Sequence, residues 1–125
     1  MSVLTFESVG KRSARALQAY QILIGAASNR QIYTYALLAE KMGMPNGQRM
    51  LSQTLGHLMF WCKQNDLPSL TSLVVQKTTG LPGVGLTEPD DVNRERELVY
   101  DYQWYSIVPP TADELGDAYA AAHAE

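Results

Sequence analysis

The chain has 125 residues, 46% of them hydrophobic and 18% charged, which fits one globular domain and excludes a disordered chain or a second domain of useful size. No uninterrupted apolar run approaches the roughly 18 residues of a membrane span, and residues 1–10 lack the basic start and apolar middle of a signal peptide, so the expected compartment is the cytoplasm. The net charge of −3 conceals a division: residues 1–87 hold eight Lys or Arg against three acids, whereas residues 88–125 hold Arg94 and Arg96 against ten acids. A basic body with an acidic end is a hint of nucleic-acid contact or of an autoinhibitory or partner-binding tail; plain solvated surface is the alternative.

In chain order, Ser8 is placed to cap a helix over about residues 9–27, whose Leu17, Tyr20, Ile24 and Ala27 recur at three- and four-residue steps and whose outer end gathers Lys11, Arg12 and Arg15. Gln31-Ile32-Tyr33 reads as a short extended piece. Thr34 then caps a helix through Met42 that Gly43 ends, and Pro45-Asn46-Gly47 is a turn signal. The next helix, about residues 48–65, turns Met50, Leu51, Leu55, Leu58, Met59 and Cys62 inward and leaves Gln48, Arg49, Gln53 and His57 for its outer face.

Pro68 marks a change to strand over residues 70–77, and Thr78-Thr79-Gly80 turns the chain so that residues 81–86 return as the second limb of a wing. Gly80, Gly83 and Gly85 around Pro82 do not follow a phosphate-binding motif, because no Gly-Lys-Ser/Thr follows and no helix opens there. Asp90 or Asp91 caps a helix over residues 92–101. Tyr100, Tyr102, Trp104 and Tyr105 form an aromatic cluster, and Thr111 with Glu114 makes a capping box for a last, alanine-rich helix free to fray or to pack against a partner.

Catalytic constellations are thin. The single cysteine, Cys62, excludes an internal disulfide and sits beside Phe60 and Trp61 as a buried thiol rather than a nucleophile. His57 and His123 have no Cys or His at ligand spacing, so no metal is expected, and Ser69 and Ser72 lack a Ser-His-Asp context. No cofactor motif is present.

The run Ile32-Tyr33-Thr34-Tyr35-Ala36-Leu37-Leu38-Ala39, followed by Gly43, Pro45 and Arg49, resembles the DNA-binding domain of the O6-alkylguanine-DNA alkyltransferases and the alkyltransferase-like proteins, over about residues 20–86. The resemblance implies a winged helix-turn-helix, with Tyr35 at the position that helps rotate a nucleotide out of the duplex and Arg49 at the position that fills the gap. Extrusion costs a few kcal/mol of stacking, which a replacing side chain partly recovers. The family's Pro-Cys-His-Arg motif would fall at Leu70-Thr71-Ser72-Leu73, which has neither the thiolate nor the activating histidine. Met50 and Leu51 also stand where the family carries small residues.

The expectation is therefore an α+β, mainly helical, winged helix-turn-helix-like domain over residues 1–110 with a small β-hairpin wing, and a C-terminal helical tail over 111–125. It is expected to bind double-stranded DNA without catalysis through Tyr35, Gln48, Arg49, Gln53 and Lys77. The alternative is a protein-interaction module, an accessory or inhibitor protein of a mobile-element or defence system, engaging a protein partner through residues 100–125.

Overall fold

The computed structural model describes residues 3–44, 47–81 and 92–124. Its helices are α1 (Phe6–Val9), α2 (Arg12–Ser28), α3 (Tyr35–Lys41), α4 (Leu51–Gln64), α5 (Val92–Asp101) and α6 (Ala112–Ala122), with two short strands, β1 (Tyr33–Thr34) and β2 (Val74–Val75). This is a mainly helical α+β arrangement. No helix among the described residues is long and apolar enough to cross a membrane.

Two helix starts follow directly from their sequences. The Thr34 hydroxyl accepts the Leu37 N–H, and Thr111 with Glu114 forms a reciprocal capping box. The first helix differs from expectation. Thr5 and Ser8 cap a single turn that Gly10 ends in the left-handed region (φ 69°), and α2 begins afresh at Arg12 without a side-chain cap.

Three helices end in the same hydrogen-bonded turn. After α3 the Met44 N–H reaches Ala39 O at 2.7 Å, after α2 the Gln31 N–H reaches Ala26 O at 2.9 Å, and after α4 the Leu67 N–H reaches Cys62 O at 2.9 Å. The left-handed residue is Gly43 in the first case, but Arg30 (φ 54°) and Asp66 (φ 55°) in the others.

The expected strand over residues 70–77 is corrected to a 3-10 turn, Leu70–Leu73, followed by only two strand residues. Leu70, Thr71, Ser72 and Leu73 are all buried, packed against α2, α4 and α5. Among the described residues no strand pairs with them, and they close their bonds locally, Ser72 N–H to Ser69 O and Val74 N–H to Thr71 O. β2 pairs with β1 in parallel, Tyr33 opposite Val74 and Thr34 opposite Val75, so this sheet is not a hairpin. The Gln76 carbonyl accepts the Gly80 N–H at 2.8 Å, forming the expected turn. Most of the second wing limb, residues 82–86, and the cap at Asp90 or Asp91 lie outside the described residues.

α2 and α4 form the centre of the core. Ala16, Ala19, Tyr20 and Leu23 meet Leu51, Leu55, Leu58 and Cys62, and Tyr20 stands edge-on to Trp61 with ring centroids 5.7 Å apart. α6 joins the same core through Leu115 and Ala118. Residues 111–125, expected to form a tail, thus carry a helix packed along both α2 and α4. α5 is held by the buried Val92 and Val99 and by charged side chains. The Glu95 carboxylate accepts the Ser69 N–H, Arg96 donates to Ser72 O and Gly80 O, and Arg30 donates to both Glu97 oxygens.

Candidate nucleic-acid interface

Tyr35 opens α3 directly after β1, and Lys77 lies two residues beyond β2. Because the strands run parallel and in register, these residues leave the sheet from the same end. The 3-10 turn Gln48–Met50, which packs against α3, carries Arg49 exposed at the entrance to α4. Gln53 is exposed in the first turn of α4, Lys77 is exposed, and Tyr35 is half-buried. The Gln48 side chain lies outside the described residues. Topology therefore gathers the ends of β1 and β2 and the N-terminus of α3, while Arg49 and Gln53 extend along the entrance of α4.

Two expected orientations on α4 are reversed. Met50 points outward at 55% exposure, because it belongs to the 3-10 turn and not to the helix whose periodicity places Leu51, Leu55 and Leu58 inside. His57 points inward at 5% exposure. Its ring stacks on Tyr119 of α6, centroids 4.2 Å apart, and Tyr119 stacks in turn on His123 at 4.3 Å. Phe60 stands edge-on to both, and Gln64 Nε2 donates to Ala118 O at 2.9 Å. Gly56 admits this packing: a Cβ there would lie 3.3 Å from the Tyr119 ring. The middle of α4 is covered by α6, and its exposed residues lie at its two ends, Ser52 and Gln53 at the start and Lys63 and Gln64 at the exit.

Titratable groups in the interior are held neutral. Burial pushes the Cys62 thiol up to about 12, with a weaker opposing hydrogen bond from the Leu70 backbone, and the same desolvation raises the Tyr20 phenol to about 12. Cys62 is therefore a thiol at neutral pH and unsuited to attack. The His57 imidazole is lowered from its ordinary value, chiefly by burial, against the pull of the Gln53 carbonyl and with help from Arg12 and His123. Among the described residues no group of three or more His, Cys, Asp or Glu is placed to hold a metal ion.

No known family model, curated protein or solved structure matches this chain.

A concavity lined from two distant segments has no counterpart in the sequence pattern. Arg30, Ile32, Asn93, Arg96, Glu97 and Tyr100 line an open groove of about 400 Å³ between the end of α2 and α5. Arg30 lies over the Tyr100 ring, 4.7 Å from its centroid, while its guanidinium grips Glu97. These pairings span nearly 70 residues of sequence, so no local pattern announces them. The aromatic cluster is largely internal: Trp104 is buried and donates to Val99 O at 2.8 Å, Tyr102 leans on it at 4.7 Å, and only Tyr105 stands 69% exposed.

Proposed function

We propose that this protein is a non-enzymatic DNA-binding module of winged-helix type, engaging duplex DNA at the edge formed by Tyr35, Arg49, Gln53 and Lys77. The observation that carries the reading is the parallel β1–β2 pairing, which brings the start of α3 and the segment bearing Lys77 to one end of the sheet. Arg49 stands exposed at the entrance of α4, supported by α3. Arg49 and Lys77 would supply phosphate contacts, Gln53 a polar contact in the groove, and Tyr35 pressure on the backbone or an extruded base. Thr71, at the position where the alkyltransferases carry their nucleophile, is a fully buried hydroxyl beside Ser69, which favours binding over alkyl transfer.

The protein-interaction reading draws less from the geometry. Trp104 and Tyr102 are committed to internal contacts and α6 is docked on α4, which leaves chiefly Tyr105 and Val108 as exposed large apolar groups in that region.

The test is binding to a fluorescent duplex, plain and carrying an O6-alkylguanine, across a salt series. The Arg49→Ala/Lys77→Ala double variant should weaken binding and reduce the slope of log affinity against log salt by about 2 if each residue neutralises one phosphate. Unchanged affinity and slope would sink the assignment.

A further inference from the structure

We propose that α6 is an acid-released cover over the middle of α4, with His57 as the group whose protonation opens it. The inference stands on the packing of the two helices and does not depend on the DNA reading.

α6 reaches α4 through few apolar anchors. Leu115 and Ala118 are its buried residues, shared with α2; Gln64 donates to Ala118 O, and beside that bond stands a ladder of rings, His57 to Tyr119 to His123, flanked by Phe60 and seated over the bare Gly56 backbone. His57 is thus buried beneath the helix it helps to hold. Its Nδ1 lies 2.8 Å from Gln53 O, an acceptor only, so Nδ1 carries the proton in the neutral ring and acidification must add the second proton at Nε2.

The groups facing His57 make that addition costly. Arg12 at the start of α2 and the His123 ring just after α6 both lower His57, and among the described residues the interactions that shift it include no carboxylate. A protonated His57 in the closed state would meet the like charge of Arg12 in a partly desolvated site, with the Gln53 carbonyl alone among the described residues to favour it. Once α6 lifts, the imidazole regains water and its ordinary value near 6.5. The open state therefore binds the proton more readily than the closed one. Closure is fully favoured above about pH 6.5 and weakens as pH falls below it.

Release would uncover Gly56, His57 and Phe60 and withdraw the exposed Asp113, Glu114 and Asp117 from beside α4. Phosphate would be repelled from that face while α6 is docked and less so after release.

Hydrogen exchange of the full chain at pH 7.5 and 5.5, corrected for the intrinsic exchange rate, tests the proposal. Amides of residues 115–119 should lose protection several-fold at the lower pH, with about tenfold as the ceiling for one group of ordinary pKa 6.5, while those of α2 change less than twofold. His57→Phe keeps a stacking ring without the charge and should abolish the difference. A drop of less than twofold in the native chain, or an equal drop in His57→Phe, overturns the proposal. Should that variant fail to fold, the imidazole resonances of His57 in the native chain decide. They must titrate together with α6 opening; titration without any change in α6 refutes the cover.

Discussion

The entrance and the middle of α4 show how one helix divides its residues between surface and core. At the entrance, Arg49, Met50, Ser52 and Gln53 are exposed and no side chain caps the helix. From Thr54 to Leu58 every residue is buried, one side meeting α2 and the other α6. A helix that lay free on the surface would bury one stripe; α4 buries most of its circumference in the middle and exposes residues toward its ends. Contact with a partner is therefore open to the entrance, and the middle belongs to the core for as long as α6 is docked.

That division is most severely tested by Leu58→Ala. Leu58 is fully buried, so truncation should cost about 3 kcal/mol in unfolding by denaturant, from lost transfer energy and the cavity left behind. Gln53→Ala, at the exposed entrance, should change stability by less than about 0.5 kcal/mol. Similar losses at both positions would erase the contrast. Tyr119→Ala should come next, at about 1–2 kcal/mol, because it removes the central ring of the ladder while Leu115 and Ala118 remain. Faster exchange in α6 with α2 unchanged would sharpen the comparison, since it separates docking of the cover from integrity of the core.

What the sequence made legible was local. The caps at Thr34 and Thr111 depend on one or two residues within a turn, and the inward stripe of Leu51, Leu55, Leu58 and Cys62 depends on helical period, so both could be read from the chain. The misreadings share another cause. Leu70-Thr71-Ser72-Leu73 has strand-like composition, yet its form is set by burial between three helices. His57 looked like a surface residue because helical period places it beside Gln53 and Phe60, and only a helix some 60 residues later supplies the ring that covers it. The candidate interface was expected from residue types, but the parallel pairing that brings Tyr35 and Lys77 to one end of the sheet is long-range and left no mark in either segment.

The exit of α4 offers the finest test. α3 and α4 close with the same turn, one through Gly43 and the other through Asp66, although both residues occupy the left-handed region. An L-residue pays roughly 1 kcal/mol there because its Cβ crowds the following carbonyl, whereas glycine is free of that strain. Glycine also loses more entropy on folding, which offsets part of the gain. Asp66→Gly should therefore stabilise the fold by about 0.5 kcal/mol, read as a rise in denaturation midpoint with unchanged slope. It should leave the DNA binding proposed for the α4 entrance untouched, because Asp66 is at the opposite end of α4 from Arg49. A loss of stability would mean that the Asp66 carboxylate holds the turn itself, and that the exit of α4 is specified by its side chain rather than by the backbone bonds from Asp66 to Lys63 and from Leu67 to Cys62.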